Sequence, residues 1–287
     1  MKEKFEKFLN KKFKKVKKTK EILELKEELM NDLLEKSEDI KNITNNEDEN
    51  YELCINSLGD LYLLIKEYKK DYRKLAKKIE LPKYKLGEEL INSISHGVGC
   101  LLSIAAFVLC IIKANTPLKL FAIMFYGISS IILYLTSCLY HSFKPNNAKR
   151  IFRIIDHCSI YLLIAGTYTP LVLLILPMPL GWWMFGLVWA LATIGIMINS
   201  IDLKKFRVIS MILYLVMGWC ILFSIDKLWQ NMNHLGILLI FIGGIIYTVG
   251  AILYGIGKKR KYMHSTFHIF CIIASVFFFF AIYLYAL

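Results

Sequence analysis

Acidic residues all but vanish from this chain after residue 89. Residues 90–287 carry three of them, Asp156, Asp202 and Asp226, against 14 Lys and Arg, whereas residues 1–89 hold 20 acidic and 22 basic side chains. Only Asp156 falls inside a long apolar stretch. The seven cysteines, at 54, 100, 110, 138, 158, 220 and 271, show no paired spacing and no Cys-x-x-Cys motif. A disulfide scaffold and a thiolate metal or redox motif are therefore not expected, and the cysteines in apolar runs read as small hydrophobes. The basic N-terminus lacks the apolar core and small-residue cleavage site of a signal peptide, so the first apolar helix is expected to act as the insertion signal. Short alternating segments are lacking too, which excludes a barrel.

What remains is an oily, basic chain: 56% apolar, 14% aromatic and of formal net charge +13 over 287 residues. A water-soluble globular domain rarely combines these values. The polar part, residues 1–84, reads as a helical cytosolic extension. Residues 1–20 set Phe5, Phe8, Leu9, Phe13 and Val16 among ten lysines, the pattern of a basic amphipathic helix. Such a helix could rest on an anionic leaflet, or pack its apolar face on residues 21–40. An apolar stripe continues at 22, 25, 29 and 33, Lys41 to Asn50 reads as a linker, and a third amphipathic stretch runs from about Asp60 to Leu81.

Residues 85–287 contain seven apolar segments of roughly 20 residues, long enough to cross about 30 Å of hydrocarbon. The expected spans are 92–112, 118–140, 154–176, 180–200, 206–225, 235–256 and 266–287, an all-α membrane protein built as a seven-transmembrane helix bundle. Lys144, Lys149, Arg150, Arg153, Lys204, Lys205, Arg207, Lys258, Lys259, Arg260 and Lys261 fall in one set of connections, and Lys113, Lys119 and Lys227 in the other. Basic residues favour the cytoplasmic side, which predicts the N-terminus inside and the C-terminus outside. Trp182, Trp183 and Trp229 read as interfacial anchors, while Gly97, Gly166, Gly218, Gly243 and Gly244 suit close helix contact.

In that topology five of the six histidines, His96, His141, His157, His264 and His268, fall near one face. His234 lies at the other. His264 and His268 are four residues apart, so both leave one helix face, and His141 stands four residues after Ser137. Three imidazoles with an open fourth position are the ligand set of a catalytic zinc site, where the metal lowers the pKa of bound water to near 7. Asp156 could orient that water or accept its proton. A histidine pair at a membrane surface also serves as a plain interfacial pair, and spacing does not choose between the two. Ionisable groups deep in a spanning segment normally mark a functional interior. His96 and His157 read as core groups or supports of the ligands.

These residues also carry a resemblance. Glu88-Glu89 with Asn92 and His96-Gly97, Ser137-Cys-Leu-Tyr140-His141, Asp156-His157 running into Gly166-Thr-Tyr168-Thr-Pro170, Met217-Gly218-Trp219, Gly243-Gly244 with Tyr247 and Gly250, and His264-x-x-x-His268 occur in order. Over residues 85–287 the chain resembles the hemolysin III proteins of the progestin and adipoQ receptor superfamily. The resemblance implies an intramembrane Zn2+ near the cytosolic leaflet on His141, His264 and His268, with Asp156 holding the water and Ser137 beside it. Phe267 stands where members commonly have Trp, and Ala274-Ser275-Val-Phe where a further His is frequent. Residues 1–84 have no counterpart.

Three functions follow as expectations. An intramembrane zinc hydrolase would act on a lipid amide or ester. A cytolytic, pore-forming protein would need a homo-oligomer, yet Asp156 alone charges the bundle interior. A receptor of the adiponectin type would need more outer-loop surface than these short connections offer. Membrane lipids are the expected partners, and nucleic acid is not.

Overall fold

The computed structural model describes residues 1–14, 16, 20–42, 44, 46–79, 81–82, 84–256 and 260–287, without the side chains of 20, 21, 71–78 and 256. Lys258 and Lys259, counted above among the inner basic residues, and Lys15, Lys17 and Lys18 of the N-terminal stretch lie outside the described residues. The chain is all-helical there and divides into two compact units, Met1–Lys78 and Ile79–Leu287.

The first unit contains α1 (Lys2–Phe13), α2 (Lys20–Lys41), α3 (Glu47–Asn56) and α4 (Leu61–Lys78). Phe5, Leu9 and Phe13 are buried in one cluster with Ile22, Leu25, Leu29, Leu33, Cys54, Leu61 and Ile65. The apolar face of the basic helix is thus spent inside this unit. Within the stretch read as a linker, residues 47–50 instead begin α3. Asn46 caps it by accepting from the amides of Asp48 and Glu49, and three acids fill its first turn. Both features favour a helix N-terminus, although the composition is that of a loop.

In the second unit, seven helices among the described residues are long and apolar enough to cross a membrane. They are α5 (Leu86–Lys113), α6 (Pro117–Ser142), α7 (Asn147–Ile175), α8 (Leu180–Ile201), the stretch Arg207–Asn231, α11 (His234–Ile256) and α12 (Met263–Tyr285). The fifth span is composite: α9 (Arg207–Trp219), a 3-10 turn over Cys220–Ser224 and α10 (Ile225–Asn231). Two starts differ from expectation, since α5 begins six residues before 92 and α7 seven before 154. Charged residues join both helices there, and Glu89 of α5 pairs with Lys149 of α7 at 2.7 Å.

Helix α7 is central. Its most apolar window is 72% buried, against 22–44% in the other six. Lipid is as apolar as leucine, so close packing and hydrogen bonds must hold such helices together. At Gly166 a Cβ would lie 1.8 Å from Ser129 Oγ and 2.8 Å from the Phe125 carbonyl oxygen, so only glycine lets α6 and α7 approach this closely. Gly218 has nothing within 4 Å of such a Cβ and does not play that part. The Tyr168 hydroxyl donates to the Gly218 carbonyl at 2.8 Å and accepts from the Ile221 amide at 3.0 Å, which ties α7 to the 3-10 turn. Lys113 and Lys119, two of the three basic residues on the sparse side, donate to the Tyr283 and Leu287 carbonyls near the end of α12. A helix C-terminus favours such cations.

Candidate metal centre

Four helices bring one end each to the same place: α5, α7 and α12 begin there and α6 ends there. His141 sits one residue before the end of α6, and His264 and His268 occupy the first two turns of α12. Their ring nitrogens converge. His264 Nε2 lies 3.2 Å from His141 Nε2 and 3.1 Å from His268 Nε2, and one nitrogen from each residue lies within 4.8 Å of the others. His141 and His268 are buried, and His264 is partly so.

His141 Nδ1 is 2.6 Å from Glu89 Oε2. A carboxylate that close pairs with a proton on Nδ1, and in the neutral imidazole of that tautomer Nε2 carries the lone pair, aimed at the other two rings. A proton on His264 Nε2 would serve one neighbouring lone pair well, whereas a cation among the three serves all of them. Tetrahedral ligand nitrogens at 2.0–2.1 Å from an ion are about 3.3 Å apart, close to the two separations seen here. The residues present therefore fit a metal ion, and the donor set suits a borderline ion better than a hard, oxygen-seeking one.

The surroundings are built for order. Lys149, buried at 2% exposure, donates to Glu89 Oε1 at 2.7 Å and to the Phe143 carbonyl at 3.0 Å. Tyr84 stacks on His264 with ring centres 5.2 Å apart, and burial pushes its phenol far above the ordinary range, so it stays neutral. His96 stacks on His268 at 3.6 Å. It supplies no member of the converging trio, and both of its nitrogens lack a hydrogen-bond partner among the described residues.

Glu88 Oε2 accepts from the Lys85 amide at 2.9 Å, and its Oε1 accepts from the Tyr262 amide at 2.7 Å. One carboxylate thus closes the first turn of α5 and fixes the residue that precedes α12.

A cavity of about 510 Å³ opens beside the imidazoles. Its walls include His264, His268, His96 and His157, the Asp156 and Ser137 side chains, and an apolar stretch with Leu163, Ile164, Trp219 and Phe278. Asp156 is buried, with the Ser137 hydroxyl beside its carboxyl. Arg153, Arg207, Arg260 and Lys261 also contribute to the lining. All five residues singled out as site candidates in the sequence, Ser137, His141, Asp156, His264 and His268, therefore lie at one end of the bundle. His234 does not, and stacks on Trp229 instead.

In the sequence reading Glu89 stands only within the Glu88-Glu89 string of the resemblance and Lys149 only in the charge count of the connections; neither is a site candidate. Glu89 falls among the many acids of the polar stretch, and Lys149 among the basic residues of a connection. A glutamate pair opening an apolar run was the available signal.

A family model described as "Haemolysin-III related" matches residues 84–279. Hemolysin-3 of Bacillus cereus is 40% identical over 203 residues, 70% of this chain and 92% of that protein. The Hemolysin-3 homolog of Bacillus subtilis (strain 168) is 40% identical over 205 residues, 70% and 96% of the two chains. The human monocyte to macrophage differentiation factor is 27% identical over 166 residues, 56% of this chain and 68% of that one. No solved structure matches.

Proposed function

The chain belongs to the haemolysin-III related family, and from that membership and the buried imidazole cluster we propose that it is a multi-pass membrane hydrolase using zinc to cleave a lipid amide or ester. One observation carries the reading: three imidazole nitrogens converge, and two of those residues, His264 and His268, line a largely apolar cavity that also presents Asp156 and Ser137. Positive-inside asymmetry supports placing this end of the bundle at the cytosolic leaflet, with the N-terminus inside.

His141, His264 and His268 would hold the ion, whose Lewis acidity polarises a carbonyl oxygen and makes water acidic enough to lose a proton near neutral pH. The other steps belong to the chain. Leu163, Ile164, Trp219 and Phe278 would take up an acyl chain and keep bulk water out. Asp156 would accept the proton from the attacking water and pass it to the departing nitrogen or oxygen. The Ser137 hydroxyl would donate to the carbonyl oxygen as negative charge gathers there. The net reaction consumes one water and releases a carboxylic acid with an amine or alcohol.

The purified full chain, incubated with zinc and ceramide-like or ester lipids, is expected to release fatty acid, and His264→Ala is expected to abolish release. Absence of release from the wild type across both lipid classes would overturn the hydrolase reading.

The similarity to a protein named Hemolysin-3 favours a second reading, in which the chain lyses membranes as an oligomer. Red-cell lysis that large polymers block supports it. Intact cells at micromolar protein count against it.

A further inference from the structure

We propose that Glu89 is the positioning residue of the imidazole site, a carboxylate anchored by Lys149 that holds His141 with its Nδ1 protonated and its Nε2 open to a cation. The inference rests on the metal reading above and goes beyond it, because Glu89 touches neither the ion's place nor a substrate.

The geometry assigns each carboxylate oxygen its own task. Oε1 accepts from Lys149 Nζ at 2.7 Å and Oε2 faces His141 Nδ1 at 2.6 Å. Lys149 is held in turn by the Phe143 carbonyl at 3.0 Å, just past the end of α6, and its Nζ lies 5.2 Å from the centre of the Tyr140 ring. The lysine therefore cannot swing away, and the carboxylate cannot rotate without breaking one of two charge-assisted bonds. Asn92 Nδ2 also approaches His141 Nδ1, but at 3.4 Å it is too distant to compete.

A purely structural ion pair is the competing account. Burying Lys149 and Glu89 together is costly, and such pairs seldom stabilise more than an apolar replacement would. Neutralising Lys149 occupies only one oxygen, yet the second is aimed at the imidazole that joins α6 to the cluster on α12. In metal sites a carboxylate on the remote ring nitrogen fixes the tautomer and raises ligand basicity, and its loss typically costs about 10–100-fold in affinity. Neither His264 nor His268 has a carboxylate on Nδ1 among the described residues, although the Asn92 backbone lies near the His268 ring. His141 is therefore the ligand that a carboxylate orients from outside the trio.

The full-length protein in detergent would be stripped of metal, reloaded with Zn2+ or Co2+, and titrated against a chromophoric chelator. Variants are Glu89→Gln, Lys149→Met and His141→Ala. Glu89→Gln is expected to weaken metal binding about 10–100-fold and to shift the visible absorption of the Co2+ form. Lys149→Met, which leaves the carboxylate in place but untethered, is expected to weaken binding less. If His141→Ala loses metal while Glu89→Gln binds as tightly as the wild type, the metal reading stands and the positioning role is overturned. If the wild type holds no more metal than His141→Ala, both fall. Should Glu89→Gln fail to fold by size exclusion and thermal melting, Lys149→Met decides: weaker binding supports the proposal and unchanged binding overturns it.

Discussion

The backbone amide of Tyr262 hangs on the carboxylate of Glu88 at 2.7 Å, although 174 residues separate them. Tyr262 is also the one described non-glycine residue with positive φ, at 63°. The helix carrying His264 and His268 starts from this clamped, left-handed residue, so the clamp sets where both rings enter the site.

Glu88→Ala should therefore destabilise the bundle by about 0.5–1.5 kcal/mol per hydrogen bond lost, since both donor amides are only part-buried. Thermal melting in detergent would show it. A melting point equal to the wild type's would mean that the clamp is incidental.

Gly166→Ala should be severely destabilising, about 1–3 kcal/mol or more for overpacking, because the Phe125 carbonyl cannot move aside as a flexible side chain can. Gly186→Ala is the matched control. It lies within α8 with nothing within 4 Å of a new Cβ, and it should leave the melting point unchanged or slightly raised.

Leu9→Ala removes a fully buried side chain from the N-terminal unit, a change of about 2–5 kcal/mol. Hydrogen exchange should quicken across α1 to α4 while metal content stays at the wild-type level. Loss of metal in this variant would show that the imidazole site depends on the extension.

Acid should loosen the join between α1 and α3. The N-terminal amine holds the Glu47 carboxyl below its ordinary 4.5, aided by Lys4, and Lys4 holds that of Asp48 below its ordinary 3.8. Carboxyls with depressed folded values lend stability above their unfolded values and lose it as pH falls through the folded ones. Protection at the start of α3, taken relative to the intrinsic exchange rate at each pH, should thus be steady above pH 4.5 and fall below 3.8. The effect is small because these groups are exposed, and Lys4→Ala should flatten the profile.

The seven spans were legible because hydrocarbon thickness demands long apolar runs, and the run around Leu101 or Ile240 admits no other reading. His141, His264 and His268 were legible as candidates from the i, i+4 step and from the rarity of ionisable groups in such segments. Glu89 was not, because a carboxylate is a membrane residue only when something 52 or 60 positions away neutralises it. Pairing of that kind exists in the fold and leaves no mark on local composition. The start of α3 was hidden for the opposite reason: its helix is set by the Asn46 cap within a sequence that otherwise reads as loop.

The most direct test is X-ray absorption at the zinc edge on protein purified without added chelator. The account predicts about one zinc per chain with three imidazole nitrogens at about 2.0–2.1 Å, reduced to background in His141→Ala, His264→Ala and His268→Ala alike. A wild-type protein without metal, or a metal shell that survives all three substitutions unchanged, would contradict it.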